Sequence, residues 1–373
     1  MLLPNPYSLL YSLLRLLDIN NRLRRLRQKV IKKGLDGLVI TKLPNVRYMS
    51  GFTGSEALIL LTRDRFIFLT DFRYVEQAQG ECKDLEIVER KRSPMKALGT
   101  LVKKQGLKVL GFESEALSFA QYAELKGLAR KVIPVKGMVE EMREVKEEEE
   151  INRLKGAIKI AEEAFKKVLK GIRPGLTDKQ IANRLEFDMK EAGAEGAAFN
   201  TICVVGERAS QPHALPSGVS VQPGNSLLID WGARWRLYNS DLTRVVFLNR
   251  ITSQAKKIYQ IVKKAQGLAI EKIREGVSAR EVDLAARNYI ESQGYGKNFG
   301  HGLGHGIGLE VHESPRLHKT NRRLLKAGMV VTVEPGIYLP QQGGVRIEDV
   351  VLVKRDGCEV LSRIPKALEA VVL

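Results

Sequence analysis

The sequence contains little cysteine. Its three cysteines, Cys82, Cys203 and Cys358, are far apart among 373 residues and form no short paired motif. A disulfide framework or a zinc knuckle needs closely spaced cysteines, so neither kind of structure is indicated. Sparse, unpaired thiols suit a reducing compartment, and we therefore expect a cytoplasmic location.

Long hydrophobic runs are also lacking. No stretch approaches the roughly 18 apolar residues that a membrane span requires, so we expect no membrane partner. Residues 1–20 are rich in leucine, but Arg15 interrupts them, and they show neither a basic start nor a small-residue cleavage site. We interpret 1–20 as an extension that packs as a short amphipathic helix, or as a start codon assigned too early.

Acidic residues are fewer than basic ones. The chain has 61 Lys and Arg against 43 Asp and Glu, a formal net charge of +18, which suggests attraction to anionic partners. The densest basic run, 22–33, has seven basic residues and no acidic one, but Leu23, Leu26 and Val30 recur through it at helical spacing. It lacks the aromatic residues that stack on bases. We therefore predict a helix with a solvated basic face and expect no nucleic-acid partner.

Length and composition predict two domains. The chain exceeds the roughly 100–200 residues of one domain, and 44% hydrophobic with 28% charged residues is ordinary for a globular protein. In the first part, short apolar runs predict strands at 37–40, 57–61, 66–69 and 108–112. Helices are predicted between them at 22–33, 72–79, 94–105 and 118–129. This alternation predicts an α/β domain over residues 21–144.

The composition changes sharply at Glu147–Glu150, where four consecutive acids open a long amphipathic segment. Negative charge suits a helix N-terminus, so we place a domain boundary near Val145 and a second domain over 145–373. Further helices are predicted after the Thr177–Asp178 cap and at 252–274 and 279–293. Strands are predicted at 199–205, 226–231, 242–248, 329–333 and 345–354. The second domain is therefore predicted to be α+β.

Histidines are concentrated in one place. All five lie between positions 213 and 318, and four of them occupy 18 residues, namely His301, His305, His312 and His318. Glycine at every second position from 300 to 308 allows close approach of the backbone and leaves room for the imidazoles. The spacing fits neither the dinucleotide-binding G-x-G-x-x-G nor the zincin H-E-x-x-H. A glycine-rich turn with incidental histidines is the alternative interpretation.

Four acidic residues lie within or directly beside otherwise apolar predicted strands, namely Asp230, Asp241, Glu334 and Glu348. A buried carboxylate is costly unless it is paired or binds a metal. One such residue is usually a satisfied core acid, but four beside a histidine cluster are better explained by cations. Four negative charges balance two divalent cations, and an oxygen-rich set with one nitrogen suits Mn, Co, Fe or Zn. Paired ions lower the pKa of a shared water, which is hydrolytic chemistry.

At these residues the chain resembles the proline peptidases of the creatinase/methionine-aminopeptidase superfamily. The resemblance covers nearly the whole chain from Asn21, including DGLVITKLPNVRYMSGFTGS and LTDFRYVEQA in the first domain. It implies an α/β N-terminal domain of the creatinase type, followed by an α+β catalytic domain with the pita-bread fold. It also implies a two-metal Xaa-Pro aminopeptidase or Xaa-Pro dipeptidase (prolidase), a homodimer that acts on short peptides with proline at the second position.

The resemblance implies a metal-ligand role for five residues, namely Asp230, Asp241, His305, Glu334 and Glu348. They would hold two divalent ions per subunit, with Mn or Co favoured and Zn or Fe as alternatives. Asp241 and Glu348 would bridge both ions, Asp230 would complete one, and His305 with Glu334 the other. Glu334 would also accept the proton of the bridging water.

Five further residues match positions around that metal site. His213, His301 and His312 match histidines that gate the site or stabilise the tetrahedral intermediate. Arg346 matches a site arginine, and Arg316 is a candidate to contact a substrate carboxylate. Of these, His213, His312, Arg316 and Arg346 would contact the substrate.

The alternatives within this superfamily differ in ligands and domains. Creatinase shares the fold but lacks the metal, and methionine aminopeptidase usually lacks the N-terminal domain. A non-catalytic binding module would typically have lost ligands. Between the two proline peptidases we favour the aminopeptidase, because only thirteen residues separate Glu334 from Glu348. That connection is too short for an extra loop that binds a substrate carboxylate.

Overall fold

A computed structural model of the chain describes residues 18–373. The chain forms two compact units, of which the first ends at Arg143 and the second spans Glu144–Leu373. The predicted leucine-rich extension covers residues 1–20, of which 1–17 lie outside the described part. Residues 18–20 belong to the first unit, because Asp18 caps a helix that begins at Ile19. No helix within the described part has the length and apolar character to cross a bilayer.

The first unit is an α/β layer built on one mixed six-stranded sheet. Its strands, in the order β4-β3-β2-β1-β5-β6, are β1 (Gly37–Ile40), β2 (Ala57–Thr62), β3 (Phe66–Thr70), β4 (Glu86–Glu89), β5 (Val109–Glu113) and β6 (Lys131–Val135). Its described helices are α1 (Ile19–Lys32), α2 (Leu43–Ser50), α3 (Val75–Glu81), α4 (Pro94–Lys104), α5 (Phe119–Lys126) and α6 (Glu140–Arg143). Strand β1 runs antiparallel to β2 and parallel to β5. The predicted α/β class is confirmed.

The basic helix α1 differs from its prediction at one residue. Leu23, Leu26 and Val30 pack into the core as predicted. Arg22, however, is also fully buried, with its guanidinium 3.9 Å from the centre of the Tyr48 ring and a 2.8 Å hydrogen bond to the Tyr48 carbonyl. The solvated-face interpretation is therefore wrong for Arg22, because the ring and the carbonyl replace its water. The other basic residues of α1 are at least partly exposed.

The second unit is α+β, as predicted, and its strand pairs are antiparallel. Its helices are α7 (Glu148–Leu169), α8 (Asp178–Glu191), α9 (Ser253–Lys272) and α10 (Ala279–Ser292). A three-stranded sheet, β12-β9-β8, contains β8 (Ile202–Val205), β9 (Ser226–Trp231) and β12 (Leu242–Phe247). A small sheet, β11-β10-β7, contains β7 (Gly196–Ala197), β10 (Ala233–Trp235) and β11 (Tyr238–Asn239).

Two more sheets complete this unit. A five-stranded sheet, β14-β13-β15-β18-β19, contains β13 (Gly304–Gly306), β14 (Glu313–Leu317), β15 (Val330–Val333), β18 (Asp349–Val353) and β19 (Cys358–Val360). A hairpin consists of β16 (Gly336–Leu339) and β17 (Gly343–Arg346). The single strand predicted at 345–354 is thus wrong, because β17 and β18 belong to different sheets. The chain breaks between them because the amide of Glu348 donates to the carbonyl of Thr243 instead of a ladder partner.

Helix caps and one aromatic stack fix the position of the strands. Thr177 caps α8 in a capping box with Gln180, as its sequence predicts. Trp231, at the end of β9, stacks on Phe165 of α7 with ring centroids 4.2 Å apart. Its indole N–H also donates to the carbonyl of Ala161 at 3.0 Å. Strand β9 is therefore held against α7 at the end that carries the predicted ligand.

The alternating glycines serve the packing of neighbouring strands. A Cβ atom on Gly304 would lie 2.1 Å from the carbonyl oxygen of Thr332, and one on Gly306 would lie 2.2 Å from that of Ser314. Both distances are far below van der Waals contact, so β13 can fit between its neighbours only with glycine at these positions. The predicted close approach thus exists, and at these two positions the group approached is the chain's own backbone.

Candidate metal centre and substrate cavity

The four predicted acids meet near the ends of strands from three sheets. Asp230 lies in β9, Asp241 directly precedes β12, Glu334 directly follows β15 and Glu348 lies between β17 and β18. Only Asp230 lies within a strand. Asp241 and Glu334 lie directly beside strands, as the predicted bounds 242–248 and 329–333 place them, whereas the prediction that Glu348 lies inside a strand is wrong. A strand end permits this convergence, because the backbone there is released from its ladder and can direct side chains from separate sheets to one point.

Glu334 and Glu348 are placed opposite each other by the pairing of β15 with β18. The antiparallel ladder runs from Val330↔Leu352 to Val333↔Asp349. The next pair in this register would be Glu334 and Glu348. Their amides leave the ladder, since Glu334 donates to the carbonyl of Leu303. Two like charges directly opposite each other repel, so this arrangement requires a compensating positive charge.

His305 faces the same cluster with one ring nitrogen. Its Nε2 lies 3.2 Å from Glu334 Oε1 and 3.6 Å from Asp241 Oδ2. Its Nδ1 lies 3.0 Å from the carbonyl of Gly306, which can only accept, so Nδ1 carries the proton that is donated there. Burial lowers the pKa of His305, but the hydrogen bond and charge of Glu334 outweigh it and raise that pKa, so the ring without metal favours the protonated form. A bound cation would replace the Nε2 proton and take that nitrogen as its ligand. Among residues 18–373, ligand atoms of Asp241, His305 and Glu348 lie within 4.8 Å of one another.

Burial and mutual repulsion disfavour simultaneous ionisation of these acids. Burial, reinforced by the neighbouring carboxylates, raises the pKa of Asp241 and of Glu348 well above the ordinary range. Burial also raises the pKa of Asp230, against the opposing charge of Arg346. Burial acts in the same direction on Glu334, but the hydrogen bond and charge of His305 outweigh it and hold the pKa of that carboxyl below its usual value.

The cluster has the properties of a cation site. Asp230 Oδ1 and Glu348 Oε1 are buried oxygens that accept no hydrogen bond from the described residues. A buried carboxylate oxygen without a donor is costly, and a bound cation removes that cost. The donor set of four carboxylates and one imidazole, with no thiolate, matches hard to borderline divalent ions. The residues present therefore fit divalent metal ions.

A buried arginine ties the cluster together. Arg346 donates from Nη2 to Asp230 Oδ2 at 2.6 Å, from Nη1 to the hydroxyl of Tyr338 at 2.9 Å and from Nε to Thr243 Oγ1 at 3.1 Å. Thr243 in turn donates to Glu348 Oε2 at 2.7 Å. One guanidinium thus fixes the orientation of two of the predicted ligands, and each of its nitrogens already has an acceptor.

His301 lies beside this network with both ring nitrogens engaged. Its Nδ1 donates to the carbonyl of Gly302 at 2.7 Å, and its Nε2 lies 2.9 Å from the hydroxyl of Tyr338, which can donate to it. Burial lowers the pKa of His301, which favours the neutral ring that this pattern requires. Arg287 on α10 donates to the carbonyls of Phe299 and His301, and so holds the segment that carries the ring.

One cavity of about 960 Å³ joins all the predicted site residues. It is lined by all five histidines and by the four acids, Arg316 and Arg346. Apolar residues complete the wall, namely Phe199, Ile202, Leu215, Val311, Pro315 and Leu317. His213, His312 and Arg316 are exposed on its surface, whereas Arg346 is buried at its base. The rings of His312 and His305 are 4.3 Å apart, so the exposed histidine adjoins the acid cluster.

Sequence reasoning missed three residues that orient the predicted ligands, namely Thr243, Thr332 and Tyr338. Thr332 Oγ1 donates to Glu334 Oε1 at 3.2 Å and accepts from the amide of His305 at 3.0 Å. Each threonine lies two residues from an acid of the cluster, a spacing that places both side chains on one face of an extended segment. That spacing is the signal by which the two threonines could have been found.

Comparisons with known proteins match both parts of the chain to known families. Residues 152–355 match the model of metallopeptidase family M24, and residues 22–145 match the creatinase/prolidase N-terminal domain. An Xaa-Pro dipeptidase of Pyrococcus horikoshii is 36% identical over 94% of this chain and 99% of its own. The structure of an Xaa-Pro dipeptidase from Bacillus anthracis is 39% identical, with a TM-score of 0.92 over 95% of this chain and 100% of its own. The structure of an X-Pro aminopeptidase from Thermotoga maritima is 38% identical, with a TM-score of 0.87 over 93% of this chain and 98% of its own.

Proposed function

Because the chain belongs to metallopeptidase family M24, we propose that it is an Xaa-Pro dipeptidase, which hydrolyses the bond before proline in dipeptides. The observation that carries the proposal is the single cavity that joins the acid cluster, His305 and Arg316. A dipeptidase must bind both a reacting peptide bond and a free carboxylate close to it. The relatives named Xaa-Pro dipeptidase support this form over the aminopeptidase that the sequence favoured.

The earlier reason for the aminopeptidase concerned the connection between Glu334 and Glu348. In the structure the hairpin β16–β17 occupies that connection, so no additional loop is present there. Exposed basic residues on the cavity wall come instead from the segment that begins with β14, at Arg316 and Arg323. The length of the connection therefore does not argue against capture of a carboxylate.

Five residues would hold the metal ions, namely Asp230, Asp241, His305, Glu334 and Glu348. We assign two divalent ions to them, because four carboxylates balance two divalent charges. The resemblance favours Mn or Co, with Zn or Fe as alternatives that the same ligands accept. When bound, such ions lower the pKa of a shared water and stabilise negative charge on the peptide oxygen.

Glu334 is the proton acceptor in this proposal. Thr332 and His305 both contact its Oε1, which orients the carboxylate and leaves Oε2 to take a proton. The low pKa of Glu334 keeps this acid ionised before the reaction. A general base must be deprotonated and within hydrogen-bond reach of the proton that it removes. The ionised carboxylate of Glu334 meets the first condition.

Histidines of the cavity would bind the substrate. Partial burial lowers the pKa of His312, which favours the neutral ring, and a neutral ring can donate one N–H to a peptide oxygen. His213 is exposed on the same cavity and would contact the peptide as well. His301, with both ring nitrogens engaged, would act through Tyr338 and the shape of the cavity base.

Arg316 would bind the carboxylate of the dipeptide. It is exposed on the cavity wall in β14, whereas Arg346 is buried and donates to Asp230, Tyr338 and Thr243. Of the two arginines predicted to contact substrate, Arg316 therefore suits the carboxylate, and Arg346 suits the positioning of ligands. A homodimer and a cytoplasmic location stay predictions from the sequence.

An Xaa-Pro aminopeptidase is the second candidate function, because the cavity is large. Its volume of about 960 Å³ lies at the upper end of the range for pockets that enclose small ligands, roughly 300–1,000 Å³. A dipeptide does not fill it, and a longer peptide could enter. The relative from Thermotoga maritima carries this name.

A substrate panel tests the proposal. We expect the Mn-loaded enzyme to hydrolyse Ala-Pro with a kcat/KM on the order of 100-fold higher than Ala-Pro-Ala, about 2.7 kcal/mol of discrimination. Arg316→Ala should raise KM for Ala-Pro by about tenfold or more, since a hydrogen bond to a charged group is lost, and should leave Ala-Pro-amide unaffected. Arg322→Ala, an exposed neighbour that does not line the cavity, is the matched control. Equal rates on the dipeptide and the tripeptide would favour the aminopeptidase.

A further inference from the structure

Gln266 on α9 is a buried amide that the acid cluster does not include. Its side chain is fully excluded from solvent. Its Nε2 lies 3.0 Å from the carbonyl oxygen of Val333 and 3.0 Å from that of Ile347. Both N–H groups of the amide therefore have an acceptor, although these acceptors lie 67 and 81 residues away in sequence.

These two carbonyls belong to the residues directly before Glu334 and Glu348. The β15–β18 ladder ends at Val333↔Asp349, and the same register resumes in the hairpin β16–β17. In the gap between the two ladders, which contains both glutamates, Pro335 has no N–H to donate to the carbonyl of Ile347, and that carbonyl accepts from Gln266 instead. A side chain from a helix thus connects the two segments where their backbone pairing is interrupted.

The orientation of the Gln266 amide is fixed by its third partner. Lys366 donates from Nζ to Gln266 Oε1 at 2.9 Å and also contacts the carboxylate of Asp349. An ammonium group can only donate and a carbonyl can only accept, so the amide cannot be flipped without three unfavourable contacts. The group that faces the gap is therefore the NH₂ group.

We propose that Gln266 is a positioning residue of the metal centre, whose amide sets the distance between the carboxylates of Glu334 and Glu348. This inference rests on the proposed function, since it assumes that both glutamates hold metal ions. Facing carboxylates repel, and the backbone pairing of their two segments is interrupted at the glutamates themselves. A neutral NH₂ group that donates to both carbonyls holds the two glutamates at one spacing without contacting substrate or ions.

The competing explanation is that Gln266 only holds α9 against the sheet. Measurements of metal affinity distinguish this structural role from the positioning role. Gln266→Met keeps the length and helix preference of the side chain but removes both donors. Gln266→Glu retains an acceptor for Lys366 and also removes the paired donors. Ile261→Val, a buried change on the same helix, reports the effect of lost packing alone, and Gln260→Leu is an exposed control.

The test uses the full-length protein, stripped of metal and titrated with Mn²⁺. We expect the wild type and both controls to bind two ions per chain, and both Gln266 variants to bind them with a dissociation constant about 10–100-fold higher, as for other groups that orient metal ligands. The electron paramagnetic resonance spectrum of the loaded pair should also change in the Gln266 variants, because the coupling between two Mn²⁺ ions depends on their spacing.

Wild-type dissociation constants and spectra in both Gln266 variants would overturn the positioning role and leave the proposed function intact. So would an equal loss of affinity in Ile261→Val, because packing alone would then explain it. A wild-type chain that binds no Mn²⁺ would overturn the proposed function, and this inference with it.

Discussion

Each unit of the molecule buries acidic side chains, but the groups around them differ. In the first unit, Glu113 accepts hydrogen bonds from the amides of Thr41 and Lys42 at 2.7 and 2.8 Å and from Asn45 at 2.6 Å. Both of its oxygens therefore have donors from the chain. In the second unit, Glu348 and Asp230 each have one buried oxygen without a donor among the described residues.

The comparison separates a structural acid from a candidate metal ligand. Burial, and to a lesser extent the charge of Glu140, raises the pKa of Glu113, and three N–H donors oppose that rise. Burial also raises the pKa of Asp241, but there two neighbouring carboxylates, of Glu348 and Asp230, are the next largest causes and add to the rise. Burial of an acid alone is thus uninformative, whereas a buried acid that lies among several others in a cluster short of donors indicates a cation site.

The largest expected difference between the units concerns turnover. Glu334→Gln should lower kcat by on the order of 10³-fold, because it removes the proposed proton acceptor and one charge that balances the ions. Glu113→Gln makes the same chemical change in the first unit and should leave kcat within a factor of two. Steady-state kinetics of both variants on Ala-Pro measure the contrast, and similar losses in the two would contradict it.

The next effect separates ligands from substrate contacts within the cavity. His312→Ala should retain two ions per chain but lose on the order of 10²-fold in kcat, because the ring is assigned to the peptide oxygen and not to metal. Elemental analysis measures the bound ions per chain, and steady-state kinetics measure kcat. Loss of an ion from this variant would instead identify His312 as a ligand.

The same isosteric change should shift stability in opposite directions in the two units. Glu113→Gln should lower the free energy of unfolding by about 1–3 kcal/mol, because an N–H donor then faces the donor of Asn45. Asp241→Asn should raise that of the metal-free protein, because it removes a charge that burial and the neighbouring carboxylates disfavour. Chemical denaturation of both variants without metal tests the signs, and a destabilised Asp241→Asn would contradict this account.

The smallest effect is a pH dependence confined to the metal-free protein. The folded pKa values of Asp241 and Glu348 are raised, so folded protein holds protons that unfolded carboxyls release above about pH 4. Stability should therefore fall as pH rises through the raised values. The raised pKa of His305 acts in the same direction. The melting temperature of metal-free protein should decline from about pH 5 upward, and Mn²⁺ should abolish the decline. An equal decline in both forms would place its origin outside the cluster.

The acids could be predicted from the sequence because a carboxylate interrupts an apolar run at each of them. The hairpin β16–β17 could not be predicted in the same way. Apolar and polar residues do not alternate regularly in GIYLPQQGG, and contacts with the rest of the unit set the pairing of its strands. Strand β4 carries glutamate at both ends and β6 contains Pro134, so neither shows an apolar run. Both lie at the edges of the sheet, where charge and proline are tolerated.

The contacts that support the ligands were harder to predict from the sequence, for a related reason. Gln266 resembles any other glutamine of an amphipathic helix, and only the fold brings it to the carbonyls of Val333 and Ile347. Arg346 was found by resemblance, but its partners Asp230 and Thr243 are more than 100 residues away. Pattern and residue type identify groups that carry the chemistry, whereas their supports are defined by tertiary contacts.

The most direct test of the account is a titration of metal-free protein with Mn²⁺, followed by hydrolysis of Ala-Pro. Metal content is first measured by elemental analysis, and bound ions per chain are then compared with activity at each step. We expect no hydrolysis without metal, because the four buried acids then lack the cations that they are arranged to hold. Activity should be complete at two ions per chain. Full activity in protein shown to be free of metal would contradict the account.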